Sequence, residues 1–91
     1  MQADQAQITR LLKTARGQLD GILKMVEEDR YCIDISNQIM ATQSILSRTN
    51  AEVLKAHMNC CVRQAVEAGD AREAEAKLEE LSALLEKLVK K

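Results

Sequence analysis

The sequence predicts an all-α fold, on three observations. Good helix formers (Ala, Leu, Lys, Glu, Gln, Arg and Met) dominate the chain. Tyr31 is the one aromatic residue, and there is no Phe, Trp or Pro, so the usual material of a β-sandwich or barrel is missing. The apolar residues recur at three- and four-residue spacing instead of alternating. A length of 91 residues implies a single helical domain, 1–91. So short a chain buries only about 60% of the surface its unfolded form exposes. Without large aromatics each core position also contributes less. We therefore expect a second copy of the chain to complete the core.

The first helix is expected from about Gln5 to Glu28. Ile8, Leu11, Leu12, Ala15, Leu19, Ile22, Leu23 and Val26 trace its apolar side. Asp4 is a fitting N-cap, and Gly17 and Gly21 fall on the polar side. The acidic run Glu27-Glu28-Asp29 opposes the helix dipole at a C-terminus and marks a turn near Asp29-Arg30. The second helix is expected from about Cys32 to Ala68, with Asp34 or Tyr31 near its start. It holds neither Gly nor Pro and would be about 55 Å long. Ile35, Ile39, Leu46, Val53 and Leu54 form its apolar stripe, broadened by Met40, Met58 and Val62. Gly69-Asp70 signals its end. The third helix is expected from about Arg72 to Val89. Ala74, Leu78, Leu81, Leu84, Leu85 and Leu88 lie on one face, and Glu73 and Lys77 are spaced to pair. The fold is thus a three-helix protomer with a long central helix.

The formal net charge of −1 excludes a globally basic nucleic-acid binder, so any DNA contact must come from a local patch. Arg10, Lys13 and Arg16 form such a patch on the first helix. No apolar run is long enough to span a membrane, and the first residues lack a signal-peptide pattern. A cytoplasmic location is expected, where three Cys read as ligands, redox groups or core fillers.

The one His adjoins two of those Cys, in His57-Met58-Asn59-Cys60-Cys61. In an α-helix His57 and Cys61 share a face, a half-site for a soft or borderline metal ion. Cys32 falls within roughly 40° of both on a helical wheel. Yet Cys32 and His57 are about 37 Å apart along an unbroken helix. They cannot hold one ion within one protomer. Antiparallel pairing of two long helices about a dyad near Leu46 brings Cys32 of one chain to His57 and Cys61 of the other, twice by symmetry. Two thiolates and an imidazole suit Cu(I); Zn(II) would want a fourth ligand. Cys60 could supply it but points about 100° away from Cys61, and reads better as a small interface or core residue. Cys32 and Cys61 of the neighbouring chain could instead act as a sulfur-sensing dithiol.

These residues resemble the CsoR/RcnR family of bacterial repressors. The resemblance covers about residues 8–88. It rests on Arg16-Gly17-Gln18-Leu19-Asp20-Gly21-Ile22, Arg30-Tyr31-Cys32, Gln38-Ile39, Ser44-Ile45-Leu46 and the Cys32…His57-x3-Cys61 spacing. It is similar to the copper-sensitive branch, and implies an antiparallel dimer, a homotetramer, operator DNA as partner and release of that DNA when Cu(I) binds. Carried over, Cys32, His57 and Cys61 are the metal ligands, with Tyr31 and Glu80 behind them. Arg48 matches a DNA-contact position, beside Arg10, Lys13 and Arg16. Leu11 and Thr14 depart from the pattern, standing where many members carry basic residues. The nickel/cobalt branch needs further His ligands and the formaldehyde branch an N-terminal Pro; this chain has one His and no Pro. Persulfide-sensing members usually lack the His, so His57 favours copper, with reactive-sulfur sensing as the alternative. No Gly-rich phosphate loop or nucleophile elbow points to an enzyme.

Overall fold

The computed structural model describes residues 1–89, with the side chains of Cys61, Val62, Leu88 and Val89 outside that description. The described residues form helices and no strand. Helix α1 spans Gln5–Glu27 and α2 spans Cys32–His57. A π-helical turn, Met58–Val62, leads into α3, Arg63–Glu67, and α4 covers Ala71–Val89.

The helix ends follow local chemistry. The Asp4 carboxylate accepts from the N–H groups of Ala6 at 3.0 Å and Gln7 at 3.4 Å, which caps α1. At the other end Asp29 takes φ 55°, a left-handed conformation that Asp tolerates better than most residues. The Arg30 N–H reaches the Met25 carbonyl at 3.0 Å and the Asp29 N–H the Val26 carbonyl at 3.1 Å, the paired bonds of a Schellman motif. The same pairing ends α3 at Gly69, φ 74°: Asp70 N–H to the Ala65 carbonyl and Gly69 N–H to the Val66 carbonyl. Asp70 then caps α4 by accepting from Glu73 N–H at 3.1 Å. Glu73 and Lys77 form the expected i,i+4 pair at 3.7 Å.

The long second helix expected over Cys32–Ala68 is helical to Glu67, but it is not one α-helix. The π-turn interrupts it directly after His57. No Gly or Pro marks this change, because a π-turn replaces one hydrogen-bond pattern with another without breaking the helix.

Packing divides the chain into two compact units. In the Asp4–Glu52 unit, α1 buries Ile8, Ala15 and Ile22 at seven-residue spacing, and α2 buries Thr42 and Thr49 at the same spacing. The expected stripe of Ile39 and Leu46 is therefore not the side of α2 buried in the single chain; both are over 40% exposed. Thr42 and Thr49 fit the seam because their hydroxyls bond carbonyls one turn back, at Gln38 (3.2 Å) and Ile45 (2.7 Å). Likewise Leu12, Leu19, Leu23 and Val26 stay exposed on α1. Each helix carries apolar residues on more than one side, and the unit uses only one of them. In the second unit, Val53 onward with Met1–Ala3, the π-turn, α3 and α4 pack on one another over buried Ala65, Ala74 and Leu81.

Candidate metal centre and nucleic-acid interface

His57 closes α2, and the π-turn after it carries Cys60 and Cys61. Bulges of this kind concentrate at functional sites, where they re-aim side chains. The i→i+5 bonding changes the angular step per residue, so the α-helical geometry expected for His57 and Cys61 does not apply here as drawn. The Cys61 side chain lies outside the described residues.

His57 Nε2 is sealed from solvent and has no hydrogen-bond partner among the described residues. It lies 4.0 Å from Glu80 Oε1, on α4. That distance is beyond a hydrogen bond, so the carboxylate faces the Nε2 edge of the ring without bonding it. A metal-binding His commonly directs its other nitrogen at a carboxylate in this way, which fixes ring orientation and tautomer.

Cys32 is the first residue of α2 and its thiol is exposed. Tyr31, just before it, is 69% exposed, and its carbonyl accepts from the Ile35 N–H at 3.2 Å to start the helix. α2 is continuous from Cys32 to His57, so the two sit at its opposite ends. Among the described residues no three His, Cys, Asp or Glu side chains converge in a way that could hold a metal ion. The structure thus brings His57 to Glu80 and holds Cys32 and His57 at opposite ends of α2, while the part expected of the Cys61 side chain lies outside the described residues.

One feature of this region is silent in the sequence. The Cys60 thiol, half-buried rather than lost in a core, donates to Gln2 Oε1 at 3.1 Å. No spacing rule links residues so far apart.

On α1, Arg10 and Lys13 line a shallow open groove with Gln5, Ala6, Thr9 and Thr14. Arg16 joins Thr9, Leu12 and Lys13 around an adjoining hollow. Arg10, Lys13, Arg16 and Arg48 are all exposed, and none is ion-paired among the described residues. Their charge is therefore available to phosphates. The Thr9 and Gln5 side chains beside them add neutral polar groups that the charge pattern alone did not single out.

Residues 4–87 match the metal-sensitive transcriptional repressor family. The copper-sensing transcriptional repressor CsoR of Mycobacterium ulcerans is 51% identical over 55 residues, 60% of this chain and 47% of the relative. The chain thus matches about half the length of that relative. The crystal structure of the copper-sensing repressor CsoR with Cu(I) from Geobacillus thermodenitrificans superposes with a TM-score of 0.82 at 39% identity, covering 93% of this chain and 85% of that one. The nickel-responsive transcriptional regulator InrS gives a TM-score of 0.80 at 28% identity, covering 98% and 97%. Family match and fold agree: the chain belongs to the metal-sensitive transcriptional repressors of the CsoR/RcnR family.

Proposed function

We propose that this chain is a Cu(I)-responsive repressor that binds operator DNA in the cytoplasm and releases it when the metal is bound. The observation that carries this reading is His57, with Nε2 sealed and directed at Glu80, which leaves Nδ1 to coordinate. The donor set also fits: two thiols and one imidazole match the preference of Cu(I) for soft ligands and low coordination number. Bound Cu(I) would supply a soft cation that accepts lone pairs from Cys32 of one protomer and from His57 and Cys61 of a second.

The protein's own groups do the rest. Glu80 holds the imidazole tautomer and accepts from Nε2–H as the ring settles. Tyr31 stands beside Cys32 at the start of α2 and shapes the approach to that thiol. The exposed apolar residues Leu12, Leu19, Ile39 and Leu46 supply the contact between protomers, which pair antiparallel and associate further into a tetramer. Arg10, Lys13, Arg16 and Arg48, repeated in each protomer, engage phosphates although each chain carries a net charge of −1. Effector and DNA are linked by a reciprocal coupling energy, so metal binding lowers DNA affinity by the factor by which DNA lowers metal affinity.

The known relatives of this fold include a nickel-responsive protein. A single His in the whole chain argues against that metal here. The exposure of Cys32 favours a second reading, in which a persulfide donor passes its outer sulfur to one thiol and leaves as a thiol. Cys61 of the neighbouring chain and Cys32 then close a disulfide with loss of hydrogen sulfide. Induction assays separate the two. With copper as effector, His57→Ala abolishes induction by Cu(I). With sulfur as effector, His57→Ala leaves induction by persulfide intact while Cys61→Ser abolishes it.

A further inference from the structure

Gln18 of α1 and Thr42 of α2 meet inside the Asp4–Glu52 unit, where Thr42 is 3% exposed. The Thr42 Oγ1 lies 2.8 Å from Gln18 Oε1 and 3.2 Å from the Gln38 carbonyl oxygen. A threonine hydroxyl has one hydrogen and two lone pairs. It therefore donates to one of these acceptors at a time. Thr49, one heptad further along the same seam, donates to its own helix at 2.7 Å, to the Ile45 carbonyl.

Gln18 is suited to follow either choice, because an amide both accepts and donates. In the first arrangement the Thr42 hydroxyl donates to Gln18 Oε1 and leaves the Gln38 carbonyl to the helix ladder alone. In the second the Gln18 amide turns, Nε2–H donates to Thr42 Oγ1, and the hydroxyl donates to the Gln38 carbonyl. Both arrangements keep the buried polar atoms partnered, which the seam requires. They differ in α2 itself, since a hydroxyl bonded to the carbonyl one turn back bends a helix. A glutamate could only accept, and an apolar side chain could do neither.

We propose that Gln18 and Thr42 form a two-position polar latch that sets the bend of α2 and positions α1 upon it. Cys32 lies at one end of α2 and His57 at the other, so ligation at the ends acts on the helix that the latch divides. Gln18 and Thr42 are positioning residues, and their part in regulation rests on the repressor reading above.

The test compares the native chain with Thr42→Ser, Thr42→Val and Gln18→Glu. The ratio of operator affinities without and with Cu(I) is measured under anaerobic conditions, and amide hydrogen exchange over residues 38–46 is measured on the free protein. Thr42→Ser retains the ratio. Gln18→Glu and Thr42→Val stay folded but lower it about tenfold, a factor within the usual range of coupling between sites. In Thr42→Val the amide of residue 42 exchanges more slowly, because the Gln38 carbonyl no longer shares its lone pairs with a hydroxyl. If Gln18→Glu does not fold, Gln18→Met takes its place with the same expectation. An unchanged ratio together with unchanged exchange in these variants overturns the latch. If the native protein itself shows no response to Cu(I), the copper reading fails, and the latch then stands or falls on the exchange result alone.

Discussion

His57 Nε2 faces Glu80 Oε1 across 4.0 Å, with the nitrogen closed to solvent and unpartnered among the described residues. A buried nitrogen without a partner is costly, so the arrangement needs a reason. An imidazole prepared to coordinate through Nδ1 supplies one. The ring then needs a shift of only about 1 Å to turn the approach to Glu80 into a hydrogen bond.

Replacing the carboxylate tests this directly. Glu80→Ala removes the group that orients the ring while leaving every proposed ligand in place. Cu(I) affinity, measured by competition with a chromophoric chelator, is expected to fall about 10- to 100-fold, the usual effect of losing a ligand's hydrogen-bond partner. Glu80→Gln, which can still accept through its carbonyl, should fall less. Unchanged affinity in Glu80→Ala would show that the carboxylate does not act on His57.

The α1 patch makes a separate prediction. Lys13→Ala and Arg16→Ala should each weaken operator binding by a similar factor on all sequences. Each should also reduce the slope of log affinity against log salt by about 1, as expected for lost phosphate contacts. Fluorescence anisotropy over a salt series provides the measurement. A loss confined to one operator sequence, with the salt slope unchanged, would point to base contact instead.

The exposed apolar side of the first unit predicts association. Leu19 is 50% and Leu46 is 44% exposed in the single chain, so a charge at either position does not enter its core. Leu19→Glu and Leu46→Glu should keep their helical circular dichroism and shift the sedimentation profile towards smaller species. Full-size assemblies in both variants would place the protomer contact elsewhere.

Helix capping gives a stability prediction free of any functional assumption. Asp4→Ala removes the oxygen that accepts from Ala6 and Gln7. The expected cost is about 1 kcal/mol, which lowers Tm by about 4–8 °C for a chain of this size. A thermal melt with unchanged Tm would mean that α1 frays there already.

Several elements were legible in the sequence for clear reasons. Asp4, the Asp29 turn and Gly69-Asp70 act through their nearest neighbours, so local chemistry reveals them. Glu73 and Lys77 pair because helix geometry alone brings them together. The choice between two apolar sides of α1 and α2 was not legible, since Leu12 and Leu19 are as apolar as Ile8 and Ile22. Nor was the burial of Thr42 and Thr49: the Thr49 hydroxyl is satisfied by its own helix and the Thr42 hydroxyl by its own helix or by Gln18, so both cost little to enclose. The π-turn leaves no compositional mark. The approach of Glu80 to His57 was suggested by family resemblance, and no periodicity in α4 distinguishes Glu80 from Glu79. The Gln2 to Cys60 bond depends on how distant segments fold back, which one sequence does not encode visibly.

In the proposed function Cu(I) and operator DNA oppose one another on this protein. The most direct measurement is an anaerobic Cu(I) titration of the reduced protein bound to its own upstream DNA, followed by anisotropy. Release complete at about one Cu(I) per protomer, and absent in His57→Ala, is the predicted result. Operator affinity that stays constant through the titration would mean that Cu(I) is not the effector.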